Sequence, residues 1–279
     1  MVIRLLLNGY NTYESDGFLT LLQETADYIY TNAGIEEGYL RTKYHISNGK
    51  TRARIGGVRP YFNCNSYPEY KRVSMLMNEE PIVLDLINEV NTEDVLFDIG
   101  ANVGIYSTFV GKRLNEGTVV VFEPEPANME AAQRHLERND ISYIAKKLAL
   151  SSQDGSAFLD IERDQVGEGR HQLIDKNTKN AIEIEMVQGD ELINSGEIPQ
   201  PSIVKIDVEG SEVDVLRGLS ESLSNSKCRT VYCETHPKIL KDRGYSGKDI
   251  LRLLRQYGYK VEYLSGKRGS RSHLKATKA

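Results

Sequence analysis

From Asp94 onward the chain alternates short apolar runs with helix-forming stretches, and nothing else in it constrains the fold as strongly. Val95–Ile99 runs apolar into Gly100, residues 103–114 read as a helix, and Thr118–Phe122 (TVVVF) is β-branched enough for a buried strand. Residues 128–139 form a helix, 143–150 a third strand and 157–161 a fourth, while 182–187 alternate as an edge strand does. Further strands at 203–208, 230–233 and 260–264 are separated by helices at 212–219 and 249–257, the latter opened by a capping box at Ser246 and Asp249. Strands alternating with helices need crossover connections and so pair in parallel. The expected fold is α/β, a Rossmann-like doubly wound sheet.

Ahead of residue 90 the pattern is mixed. Ser15 can cap a helix whose apolar stripe is Phe18, Leu21, Leu22, Ala26 and Ile29, ending at Gly34. Asn48-Gly49 between two short runs predicts a type I′ hairpin. Pro81 starts a helix through Val90, with Ile82, Leu86 and Val90 on one side. The polar stretch 163–180 reads as a loop, and the end, GKRGSRSHLKATKA, is basic and free of acids. The expected organisation is an N-terminal α+β extension over 1–90 for substrate or oligomer contacts, an α/β domain over 91–265, and a basic mobile tail over 266–279.

Composition removes several classes. The formal net charge of −5 argues against a broad nucleic-acid footprint. No apolar stretch approaches the ~20 residues of a membrane span, and the apolar run 5–7 is too short for a secretory signal. Cys64, Cys228 and Cys233 contain no C-x-x-C, so neither a zinc cage nor a disulfide framework is indicated, and the cytoplasm is the expected compartment.

The strongest local signal is Asp98-Ile99-Gly100-Ala101-Asn102-Val103-Gly104, between a strand and a helix. Ligands of doubly wound sheets bind at such strand ends. Gly100 allows a tight turn and a close backbone approach, and Gly104 allows the helix to pack near the strand. The spacing is not the G-x-G-x-x-G of a dinucleotide site. A carboxylate at the strand tip repels phosphate but suits an ammonium group, which S-adenosylmethionine carries beside its sulfonium. A plain βα turn would use the same glycines for geometry alone. Glu123 then ends the second strand, about 25 residues beyond Asp98, where an acidic side chain accepts both hydroxyls of a ribose. Pro124 fixes the turn after it.

FDIGANVGIYS at 97–107, VFEPEP at 121–126 and VKIDVEGSEVDVLRG at 204–218 together resemble the FkbM family of S-adenosylmethionine-dependent methyltransferases. The resemblance covers about residues 79–264. It implies a seven-strand class I methyltransferase sheet and O-methylation of small molecules, sugars or glycolipids. It implies that Glu80 precedes the first strand as the family's glutamate does, and that Asp98, Gly100, Asn102, Gly104 and Glu123 occupy cofactor-binding positions. The loop at 169–173 resembles a family loop rich in glycine and serine, but here it carries Arg170 and His171.

Lys205 stands inside an apolar strand and needs a partner if buried, with Asp98 and Glu209 as candidates; otherwise its stem snorkels to solvent. Asp207, Glu209, Glu234 and His236 are the groups a parallel sheet delivers to the expected methyl-transfer edge. Methyl transfer to oxygen is an in-line displacement that rests on alignment and on removal of the hydroxyl proton, for which His236 is a suitable base. Otherwise His236 is a loop histidine before Pro237. The same four side chains could hold magnesium, but their spacing does not demand a metal, and the metal-free reading is adopted. The sequence therefore predicts an O-methyltransferase. An RNA methyltransferase on the same fold and a nucleotide-binding oxidoreductase are the alternatives.

Overall fold

The computed structural model describes residues 36–76, 80–161, 166, 172–174, 181–266 and 271–278, with backbone only at 36, 80 and 172–174. The helix expected behind Ser15 lies outside the described residues, as do Gly169, Arg170 and His171.

The chain divides into two units, Met1–Gly49 and Lys50–Ala279. In the first, the described element is helix α1 (Glu36–Ser47). Asn48 and Gly49 follow it with φ of 50° and 71°, and the Gly49 N–H returns to the Tyr44 carbonyl at 2.9 Å. The Asn-Gly pair therefore ends a helix and is not a hairpin turn. Both roles need left-handed backbone, which is why the sequence signal is shared.

The second unit opens with an antiparallel ribbon of β1 (Lys50–Arg52) and β2 (Tyr61–Asn63), then α2 (Tyr67–Ser74) and α3 (Glu80–Glu89). There follow β3 (Val95–Ile99), α4 (Ile105–Gly111), β4 (Thr118–Phe122), α5 (Pro126–Arg138) and β5 (Tyr143–Lys146). Next come β6 (Ala149–Leu150), β7 (Gly155–Asp160), β8 (Gln172–Ile174), β9 (Ala181–Val187) and α6 (Gly189–Asn194). The chain continues through β10 (Ile203–Ile206), α7 (Glu212–Gly218), α8 (Ser220–Ser224), β11 (Thr230–Thr235) and α9 (Pro237–Asp242). The last elements are α10 (Gly247–Gln256), β12 (Tyr259–Ser265) and β13 (Ser272–Lys278).

Seven strands form one sheet in the order β12-β13-β11-β10-β3-β4-β5. From β3 the chain steps outward through β4 and β5, then returns to place β10 on β3's other side. The strand order thus reverses between β3 and β10, where a doubly wound sheet opens its ligand crevice. The expected α/β class and seven-strand sheet are present. Fully buried Phe97, Val120, Phe122, Val204 and Ile206 form its middle, with the Phe97 and Phe122 rings edge-to-face at 5.2 Å.

Three further expectations are corrected. The end of the sequence is no mobile tail. Ser272–Lys278 pairs antiparallel with both β11 and β12, because Ser272, Leu274 and Ala276 alternate inward beneath a basic composition that hides the period. The third strand stops at Lys146, and Ala149–Leu150 joins β7, β8 and β9 in a separate four-stranded sheet. The division of the chain falls at Gly49, not near residue 90, since β2 packs on α5 within the second unit.

Candidate active site

A cavity of about 340 Å³ opens at the carboxyl ends of β3, β4 and β10, a volume typical of small-molecule sites. Gly100, Asn102, Glu123 and Pro124 line one side, Asp207 and Glu209 another, and Leu148, Leu150 and Leu159 supply apolar wall. Gly100 has φ 71°, and a Cβ there would stand 2.0 Å from the Asp207 carbonyl oxygen. Only glycine lets the two strand tips approach this closely. Gly104 lies off the cavity. A Cβ on it would meet the Ala132 Cβ at 2.8 Å, so it serves contact between α4 and α5 rather than contact with the strand.

Glu123 is buried at the cavity wall. Its two carboxylate oxygens accept the Asn102 N–H at 2.8 Å and the Glu125 N–H at 3.0 Å. Burial pushes the Glu123 carboxyl up to about 7 against these donors. The neighbouring Glu125 caps α5 by accepting from the Ala127 and Asn128 N–H groups.

Asp98 departs from the expected role. Its carboxylate is fully buried and absent from the cavity wall. One oxygen accepts from the Ser107 N–H and hydroxyl at 3.0 and 2.6 Å. The other faces the Lys205 ammonium at 3.0 Å. Lys205 therefore has its partner. It also donates to the Gly100 carbonyl at 2.9 Å and lies 3.9 Å from Asp207. Burial disfavours its ammonium, yet the Asp98 and Asp207 carboxylates outweigh that and hold its pKa above the ordinary value. The pair fixes the glycine turn from beneath. Glu80 begins α3, and its side chain lies outside the described residues.

The four side chains assigned to chemistry do converge. His236 Nε2 lies 3.7 Å from Glu209, 3.8 Å from Glu234 and 4.0 Å from Asp207. Glu212, which the residue reading did not single out although it stands in the VEGSE segment, places Oε1 2.7 Å from His236 Nδ1. Burial opposes the His236 charge, but Glu212, Glu209 and Asp207 raise its pKa overall. Burial alone would raise Glu234; His273 and Arg271 hold it well below the carboxylate range. Arg271 Nε donates to Glu234 Oε1, and His273 Nε2 lies 3.2 Å from Oε2. Both basic residues belong to the segment read as a tail. Arg72, also on the cavity wall, comes from α2, ahead of the recognisable motifs.

The Methyltransferase FkbM domain profile matches residues 98–261. Hexuronic acid methyltransferase AglP of Haloferax volcanii is 30% identical over 203 residues, which is 72% of this chain and 78% of that one. The 31-O-demethyl-FK506 methyltransferase FkbM of Streptomyces tacrolimicus is 25% identical over 201 residues, 62% of this chain and 75% of its own. The solved structure of methyltransferase FkbM from Methylobacillus flagellatus aligns with a TM-score of 0.47 at 14% identity, over 75% of this chain and 54% of that one. The chain belongs to the FkbM methyltransferase family. It is a methyltransferase, and the oxidoreductase reading falls away. No helix among the described residues is long and apolar enough to cross a membrane.

Proposed function

We propose that this chain is an S-adenosylmethionine-dependent O-methyltransferase acting on a hydroxyl of a sugar, glycolipid or small-molecule metabolite. The observation that carries the reading is Glu123. A carboxylate desolvated at a cavity wall, with one backbone donor on each oxygen, retains acceptor capacity on both. Two vicinal ribose hydroxyls match it. The leucine wall opposite suits an adenine ring, and the turn at Gly100 leaves room for close backbone approach. The residues present therefore fit the cofactor.

When bound, S-adenosylmethionine supplies a methyl group on a positively charged sulfur that departs with the carbon–sulfur electron pair. Asp207 and Glu209 stand on the cavity wall at the next strand tip, where they orient the acceptor. The cluster of Asp207, Glu209, Glu234 and His236 receives the hydroxyl proton as the oxygen–carbon bond forms. Alignment at this edge supplies most of the acceleration, and proton removal on the order of 10²–10⁴-fold more. AglP is named for a hexuronic acid, and Arg72 on the cavity wall gives an acidic sugar a charge partner.

Calorimetric titration of the folded protein with S-adenosylmethionine and its demethylated product tests the proposal. Micromolar binding of both is expected, lost in Glu123→Ala with the fold intact. A folded protein that binds neither overturns the reading. Unchanged affinity in the variant removes the ribose role of Glu123.

A further inference from the structure

The His236 cluster has a feature that proton transfer alone leaves unexplained. His236 is 6% exposed, and its Nε2 atom is buried with no hydrogen-bond partner. An imidazole nitrogen held out of water without a partner is destabilising. This one points among three carboxylates, none closer than 3.7 Å. That separation is too long for a hydrogen bond and is the spacing left when several ligand atoms surround a common centre. One ligand atom from each of Asp207, Glu234 and His236 lies within 4.8 Å of the other two.

The support behind the histidine fits the same pattern. Glu212 is fully buried and takes up Nδ1 at 2.7 Å, so the ring is held with Nε2 toward the carboxylates. A metal-ligating histidine characteristically gives its other nitrogen to a carboxylate in this way. Charge points in the same direction. Asp207, Glu209 and Glu234 face Arg271, while Lys205 is shared between Asp98 and Asp207. Arg271 and His273 both contact Glu234, so Asp207 and Glu209 share the more distant charges of Lys205 and Arg271 beside Nε2.

We propose that Asp207, Glu234 and His236 form a divalent cation site at the edge of the cofactor cavity, with Glu212 positioning the histidine. Two carboxylates and one imidazole make an intermediate donor set that suits manganese. Three protein ligands leave coordination positions open toward the cavity, because Asp207 is also on its wall. An acceptor hydroxyl bound there loses its proton more readily, and Glu209, outside the ligand triad but 3.7 Å from Nε2, is placed to receive it. Arg271, with its side chain 65% exposed, moves off Glu234 as the ion enters. This inference deepens the methyltransferase reading and locates the ion by geometry independent of Glu123.

The test uses the full chain and manganese(II) alone, followed by electron paramagnetic resonance. One ion per chain is expected, with nitrogen modulation in the spin echo from a coordinated imidazole. His236→Ala and Asp207→Asn should each weaken binding more than about tenfold, and Glu212→Gln about tenfold. Each variant is checked in parallel for S-adenosylmethionine binding, which Glu123 governs. Cofactor binding retained while manganese binding is lost supports the site. The idea is overturned if the wild-type protein binds no manganese, if the bound ion shows no nitrogen coupling, or if the variants bind it as the wild type does. Failure of cofactor binding with manganese binding intact would instead count against the function proposed above.

Discussion

Two buried histidines of this molecule sit among carboxylates, and they are built to different ends. His135, on α5, gives Nδ1 to the Val103 carbonyl at 2.9 Å and sets Nε2 3.0 Å from Glu69. Glu69 is also held by Arg134 and by the Asn65 N–H, and Arg134 reaches on to the Asn63 carbonyl. Every charge there has a near counterpart, and the group fastens the β2–α2 segment to α5. His236 has an equally close partner on Nδ1, but its Nε2 faces three carboxylates at 3.7 Å and beyond. The first cluster is closed and holds structure together. The second is open on one atom, beside a cavity, and that opening is where the proposed chemistry is placed.

The largest effect that would test this contrast is on turnover. His236→Ala should lower turnover by about 10³-fold while cofactor affinity stays within about threefold. Equal losses in steady-state turnover and in calorimetric affinity would make His236 structural and erase the distinction. In the closed cluster the effect belongs to stability. Glu69→Gln leaves Arg134 and His135 without their anion and should cost about 3 kcal/mol in denaturant unfolding, with turnover per folded molecule unchanged. A stability loss below about 1 kcal/mol would show that the closed group is not a clamp.

The smallest effect is in pH, and the two regions differ in sign. Burial works against the Glu69 charge, but His135, Arg134 and Asn65 bring its carboxyl below the ordinary value of 4.5. Its contribution is complete above pH 4.5 and is lost as pH falls through the lowered value. Glu123 is raised by burial from 4.5 to about 7, so it holds its proton more tightly in the folded state. Its ionisation lowers stability as pH climbs from 4.5 to about 7. Ribose hydroxyls need the ionised form, so S-adenosylmethionine should bind about tenfold more weakly at pH 6 than at pH 8. Titration at both values checks this, and a flat profile would separate Glu123 from the ligand.

Much of the sheet was legible because its inner strands are continuous apolar runs. Val95–Ile99 and Thr118–Phe122 match their predicted bounds, and the capping box at Ser246 and Asp249 is present. What escaped depended on partners distant in sequence. The period-2 signal of β13 rests on Leu274 and Ala276, small or isolated among basic residues. At the site, strand tips located Glu123, Asp207, Glu209, Glu234 and His236, because strand order dictates which ends meet. The direction of a carboxylate was not legible. Asp98 is at the tip but turned inward, since Lys205 pairs with it across the Lys205–Asp98 register of neighbouring strands. Glu212 was hidden for a similar reason, as only folding brings it within reach of a histidine 24 residues on.

The position of β13 also sets when the seven-strand sheet can close during synthesis. Residues 272–278 lie between β11 and β12, so these two earlier strands are not neighbours and cannot settle against each other first. A nascent chain can assemble β3, β4, β5, β10 and β11 as they emerge, but β12 waits for a strand still inside the ribosome. Arg271 and His273 arrive with that strand, and until they do Glu234 has neither of its basic partners. The edge around Glu234 therefore forms only after residue 273 has emerged, and a translation product that stops before residue 271 carries the glycine turn and Glu123 without it.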